Sequence, residues 1–293
     1  MTRRPRPGRL LAWTALIVFL VVTILPFYWM LRTALTPAAD IYSDSSGLVP
    51  QHPTMINFWR ILGLVDEQAA RDAGGSGAQI NFLRYTLNSI IYSGLIASVQ
   101  TFCCAMAGYA FARLRFPGRD LLFGAVIAAL MVPPIFTLLP NFALVRSLDA
   151  IDTFAGMVAP ALLMTPFAVF FLRQFFLSVP AEVEEAAIID GASRWGIFWR
   201  VILPMSRGPL ITIALTTSVW AWKDYLWPLL VGRGEDNRVL TVALGVFLQQ
   251  SPNTQPDWTG LMAASTLSVL PVLLLLIFLG KRLVQSLNFT GIK

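Results

Sequence analysis

The chain has 293 residues, is 56% hydrophobic and only 13% charged, and carries a formal net charge of +6. That apolar content excludes an ordinary soluble domain and points to a polytopic membrane protein. The basic excess reports membrane topology and excludes a nucleic-acid-binding reading, because a solvated basic patch needs a soluble face and the sequence offers none.

A helix needs about 20 apolar residues to cross the hydrocarbon core. Six uncharged stretches approach or exceed that length: Leu10 to Leu31, Tyr85 to Ala112, Leu121 to Val145, Thr153 to Leu172, Gly208 to Trp222 and Trp258 to Gly280. They predict an all-α membrane protein with six transmembrane helices. Residues 1–9 form a basic N-terminus with Arg3, Arg4, Arg6 and Arg9, and residues 10–293 form one transmembrane domain. The first stretch is too long for a signal-peptide core and lacks a small-residue cleavage site, so it reads as a retained helix.

Residues 33–84 form the one sizeable extracytoplasmic loop. It carries Pro37, Pro50 and Pro53, a short candidate helix from Met55 to Leu64, and the tract Gly74-Gly75-Ser76-Gly77. The segment 66–79 reads either as a surface loop or as a contact for a soluble partner that delivers substrate. The second helix begins near Asn88-Ser89 and ends at Arg113 to Arg119, with Pro117-Gly118 as its turn. Its small residues permit close helix approach in lipid. Cys103 and Cys104 are adjacent and fit packing better than a disulfide. Pro133, Pro134 and Pro140 predict a kinked third helix that either lines a cavity or serves packing.

Residues 179–204 form a cytoplasmic segment. Val179-Pro180 opens a helix with proline in its first turn, Glu182, Glu184 and Glu185 lie at the positive end of its dipole, and Gly191 suits a left-handed stop. Trp195, Ile197, Phe198 and Trp199 start a second short amphipathic helix, and Leu203-Pro204 turns into the fifth span. That span is interrupted by Lys223 and Asp224 among Trp220, Trp222, Tyr225 and Trp227, then resumes to Gly232. On a regular helix Trp220, Lys223, Asp224 and Trp227 share one face. The cluster reads as an outer aromatic belt with a snorkelling lysine or as a polar-solute pathway, since charges at membrane depth face protein or water.

Both termini are expected in the cytoplasm. This places 14 of the 22 basic residues inside: Arg3, Arg4, Arg6, Arg9, Arg113, Arg115, Arg119, Arg173, Arg194, Arg200, Arg207, Lys281, Arg282 and Lys293. No catalytic constellation, metal-ligand spacing or nucleotide-binding glycine loop is present, so the chain is expected to bind no metal and no ATP itself.

The run Glu185-Ala186-Ala187, three residues, Gly191, nine residues and then Val201-Ile202-Leu203-Pro204 resembles the EAA loop of ABC-importer permease subunits, with Val201 where the family usually has Ile. Asn88-Ser89 followed by Tyr109-Ala110-Phe111-Ala112-Arg113 to Arg119 resembles the signature of the carbohydrate-uptake class. Lys223-Asp224 departs from that class, which has Asn-Asp or Asn-Glu, and Leu139-Pro140-Asn141 departs from its Pro-Leu-Tyr. The short tail from Leu287 to Lys293 is like that of the maltose-transporter type.

The resemblance implies a type I permease fold in a cell membrane. It implies docking on an ATPase through Glu184, Glu185, Ala186, Ala187, Asp190, Gly191, Leu203 and Pro204. It also implies a second permease subunit, an ATPase dimer that holds ATP and Mg, and an extracytoplasmic substrate-binding protein. Asn88, Pro133, Trp220, Lys223, Asp224 and Trp227 are the candidate pathway residues. The rival class is an ion-coupled secondary transporter, which calls for acidic residues at helix midpoints; none stands there.

Overall fold

The computed structural model describes residues 7–41, 47–72, 80–249 and 256–288. Residues 1–6, the Gly74-Gly75-Ser76-Gly77 tract and residues 289–293 of the tail lie outside them. Among the described residues all regular structure is helical and no strand occurs.

Among the described residues three helices are long and apolar enough to cross a membrane, in α1 (Pro7–Ala34), α4 (Phe82–Arg113) and α15 (Trp258–Asn288). The count rises to five if each of two bent pairs is one span. The third expected helix is broken where a kink was anticipated: α5 (Arg119–Ala129) meets α6 (Pro134–Ser147) at 103°. The cause is local. Pro134 disfavours a helical Pro133, which is extended at ψ 135°, and two successive residues lack N–H donors. The fourth expected helix splits into α7 (Phe154–Leu162) and α8 (Pro166–Ser178), bent by 44°, for the same reason: Thr165 is extended before Pro166. The fifth, α12 (Arg207–Trp222), has 16 residues and gives way to the short α13 (Leu226–Val231). A further apolar helix of ten residues, α14 (Leu240–Gln249), follows.

The chain divides into two compact units. In the first, Met1–Arg84 with Ala243–Leu270, the flank of α1 from Leu11 to Trp29 is exposed throughout. Its far end is anchored by α2 (Ile56–Ile61), where Asn57 Nδ2 donates to the carbonyls of Ala34 and Thr36, each at 2.9 Å. These are carbonyls left without partners at a helix end. Arg60 Nη1 lies 2.7 Å from Asp257 Oδ2, and its Nη2 donates to Oδ1 at 3.0 Å. Asp257 Oδ1 also accepts from the Gly260 N–H at 2.8 Å, capping the start of α15. In the loop expected from 66 to 79, α3 (Glu67–Asp72) is helical.

The second unit, Tyr85–Val242 with Pro271–Lys293, holds the main core. Cys104, Tyr109, Leu172, Phe176, Ile197, Phe198, Ile202 and Ile213 are buried together there, so α4, α8, the segment after residue 193 and α12 share one apolar centre. Gly108 lets α4 approach α8 closely: a Cβ there would sit 3.1 Å from the Arg173 backbone nitrogen and 3.2 Å from Leu172 Cβ.

Candidate functional site

The segment 179–204 folds as its residues predict. Two extended residues, Val179 and Pro180, lead into α9 (Ala181–Ile189). Gly191, at φ +80°, ends it: its N–H donates to the Ile188 carbonyl at 2.9 Å, and the Ala192 N–H returns to the Ala187 carbonyl at 2.9 Å. Ser193 Oγ then accepts from the Gly196 N–H at 3.1 Å and caps α10 (Arg194–Ile197). A π-helical turn, Phe198–Ile202, and α11 (Leu203–Met205) carry the chain into α12. Phe198 and Ile202 point into the core, which fixes this segment on α4 and α8.

The outward face of α9 presents Glu185, Ala186 and Asp190, with Ala187 half-buried. Ile189 on the same face is 85% exposed and Ile188 43%. Gly191 and Pro204 are exposed and Leu203 is half-buried. Glu184 is different. It is 5% exposed and turns inward, with Oε1 2.9 Å from Arg113 Nε, a charge contact without hydrogen-bond alignment.

The expected pathway residues do not share one helix face. α12 stops at Trp222, and Lys223, Asp224 and Tyr225 form the break before α13. Trp220 is 53% exposed and Lys223 is exposed, whereas Asp224 is half-buried and accepts from Tyr92 Oη at 3.1 Å. The Asp224 carbonyl accepts from Thr241 Oγ1 at 2.6 Å, and Trp227 Nε1 donates to the Met157 carbonyl at 2.8 Å. Asn88 Nδ2 donates to the carbonyls of Asp236 and Arg238, at 2.8 and 2.9 Å. Pro133, exposed, stands at the α5–α6 break. The regular-helix expectation fails because Asp224, bonded to Tyr92 and Thr241, and Pro228, inside the next turn, favour a break.

These contacts expose a pattern that motif reading missed. Asn88, Tyr92, Gln100 and Cys104 lie at multiples of four residues along one stripe of α4. Each satisfies a group at an irregularity of a neighbouring segment. Gln100 Nε2 donates to the Ala161 carbonyl near the end of α7, and Cys104 Sγ accepts from the Thr165 N–H at 3.4 Å across the α7–α8 break. Ser89 Oγ accepts from the Leu240 N–H at 2.8 Å, opening α14. Backbone freed at a break inside a membrane protein must find partners in protein, and α4 supplies them. The signal was present as polar residues at four-residue spacing in an apolar stretch.

Residues 105–289 match the family described as binding-protein-dependent transport system inner membrane component. The arabinooligosaccharides transport system permease protein of Halalkalibacterium halodurans is 34% identical over 206 residues, covering 70% of this chain and 72% of that protein. The diacetylchitobiose uptake system permease protein of Streptomyces coelicolor is 30% identical over 274 residues, covering 93% and 85%. The trehalose/maltose transport system permease protein of Thermococcus litoralis is 29% identical over 286 residues, covering 97% of each. A chain in the crystal structure of a bacterial ABC transporter involved in the import of the acidic polysaccharide alginate has the same fold, with a TM-score of 0.77 at 21% identity over 96% of this chain and 99% of that one. The chain therefore belongs to the binding-protein-dependent transport system inner membrane components, the permeases of ABC importers.

Proposed function

We propose that this chain is one of two permease subunits of an ATP-driven carbohydrate importer in a bacterial or archaeal cell membrane, and forms half of its translocation pathway. It spans the membrane six times with both termini cytoplasmic, residues 33–84 outside and residues 179–204 inside. The ATPase dimer docks on the outward face of α9 and binds ATP and Mg; the chain itself binds neither. An extracytoplasmic binding protein delivers the substrate. The observation that carries this reading is the helix–Gly191–helix segment, packed on the core through Ile197, Phe198 and Ile202 yet leaving Glu185, Ile188, Ile189 and Asp190 exposed. The carbohydrate class rests on the arabinooligosaccharide, diacetylchitobiose and trehalose/maltose relatives.

ATP-driven closure of the ATPases would move α9 as a lever and rock the spans between inward- and outward-open states. The polar break at Lys223 and Asp224, flanked by Trp220 and Trp227, borders the solute route with Asn88, and the bent α5–α6 pair at Pro133 lines it. The test is co-expression of the tagged chain with its second permease and ATPase. The ATPase should co-purify, and Ile189→Glu should release it. Vesicles with the intact complex should take up an oligosaccharide from a panel only with ATP. Uptake driven by a proton or sodium gradient without the ATPase would replace this reading with a secondary transporter. A cysteine at Ser76 should react with an impermeant thiol reagent from outside, and one at Ile189 should not; the reverse labelling would invert the topology.

A further inference from the structure

We infer that Arg113 is the positioning residue that locks the coupling segment onto the spans, with Glu184 as its counter-charge; this rests on the coupling reading above and deepens it. α8 and α9 are separated by Val179 and Pro180, both extended, at ψ 131° and 135°. Val179 N–H bonds back to the Phe176 carbonyl of α8 at 3.3 Å and Pro180 has no N–H to offer, so these two residues donate no backbone bond to α9 and would let it swing. One guanidinium brackets it. On the α8 side, Arg113 Nη2 donates to the Phe176 carbonyl at 2.8 Å and to the Val179 carbonyl. On the α9 side, its Nε meets Glu184 Oε1 at 2.9 Å. Arg113 itself belongs to neither helix: it is the last residue of α4.

The clasp is returned from the other direction. Arg173 of α8 donates through Nε to the Phe111 carbonyl of α4 at 3.3 Å, and its guanidinium lies 3.9 Å from the ring centroid of Phe123 on α5. Carbonyls at two helix ends, Phe111 of α4 and Phe176 of α8, thus each receive an arginine from the neighbouring helix. The Arg113 and Glu184 side chains are 14% and 7% exposed, so water screens their contact little. Arginine suits this place because its planar fork offers several fixed donors, whereas lysine offers one compact charge.

A division of labour follows between adjacent carboxylates. Glu184 faces inward and ties α9 to α4, while Glu185, about 100° further round the helix, is exposed for a partner. A push on α9 therefore moves the C-terminal end of α4 instead of bending the Val179-Pro180 joint. At its other end α4 holds Asp224 and the loop 236–238 through Tyr92 and Asn88.

The test uses the whole importer in lipid nanodiscs, with spin labels at Gln174→Cys on α8 and Glu182→Cys on α9, neither of them placed in the docking face, in a Cys103→Ala background. Both labelled sites are exposed, and Cys104 is buried away from label. The parent should give one narrow inter-label distance. Glu184→Ala and Arg113→Ala should each broaden it about twofold as the joint is released, with Glu184→Gln less affected, serving where the alanine variants fail to fold. Arg113→Lys should broaden it too, although its charge is kept, and all should retain the ATPase. A narrow distance in Glu184→Ala and Arg113→Ala, or full preservation by lysine, would overturn the clasp. Glu185→Ala separates the two ideas: it should keep the narrow distance and weaken ATPase retention, and unchanged retention there would count against the coupling reading while leaving the clasp intact.

Discussion

Removing the carboxylate of Asp257 should destabilise the first unit more than any surface change. Its side chain is 2% exposed and that of Arg60 is 6%, with nitrogen–oxygen separations of 2.7 and 3.0 Å. Asp257→Asn keeps an acceptor for the Gly260 N–H and so preserves most of the helix cap. It removes the charge that answers Arg60. Stranding a buried guanidinium costs about 3–5 kcal/mol, whereas Asp257→Ala adds roughly 1 kcal/mol for the lost cap. Taking both charges away together, as Arg60→Met with Asp257→Asn, should recover most of the loss, since a buried pair contributes little net stability over apolar replacements. The assay is thermal unfolding in detergent followed by intrinsic tryptophan fluorescence, for which the chain has nine tryptophans. The single variant should lower Tm by on the order of 5–10 °C, and the double variant by clearly less. If single and double variants fall equally, the loss comes from packing or capping and the stranded-charge argument is wrong.

Tyr92→Phe should cost about 1 kcal/mol by deleting one hydrogen bond to Asp224, and in a double-mutant cycle Asp224→Ala should be non-additive with it; additivity in thermal unfolding would show that the two do not interact. Gly191→Ala should weaken coupled transport and destabilise α9 by about 1–2 kcal/mol because of its positive φ, while Gly191→Asn should be milder, as asparagine tolerates that conformation. Equal effects of alanine and asparagine on uptake per ATP would rule out the backbone explanation. Gly156→Ala should reduce the amount of protein in the membrane, since its Cβ would stand 2.1 Å from the Ala150 carbonyl oxygen; normal levels by immunoblot would contradict that contact.

The turn at Gly191 was legible because glycine at a helix end has one dominant physical use; the start of α9 was placed to within a residue by its proline, although Pro180 stands extended just before the first turn and not in it. The extents of α1 and α4 and the start of α15 were legible within a few residues because uninterrupted apolar length is a strong signal, whereas α15 continues eight residues past Gly280 into its charged end. The bent pairs were not. A proline in an apolar run announces a perturbation, but whether it gives a kink or a 103° break depends on whether neighbouring segments can accept the freed backbone groups. Periodicity placed Lys223 and Asp224 on a helix face; only Tyr92 and Thr241, distant in sequence, reveal why the helix stops there. Composition likewise could not separate Glu184 from Glu185, because the difference lies in where Arg113 ends up. α14 escaped notice as an element because ten apolar residues fall short of a span.

The polar stripe of α4 also constrains how the protein is made. Tyr92 waits 132 residues for Asp224, and Asn88 waits 148 for Asp236. At about 5–20 residues per second of synthesis, roughly 7–30 s separate the emergence of these partners. During that interval a helix bearing asparagine, tyrosine and glutamine side chains must leave the ribosome and enter the bilayer before the groups it will bond exist. Insertion of α4 is then the step of biogenesis most exposed to failure, and nascent chains halted before Asp224 are the ones expected to need a membrane chaperone or to meet the quality-control proteases.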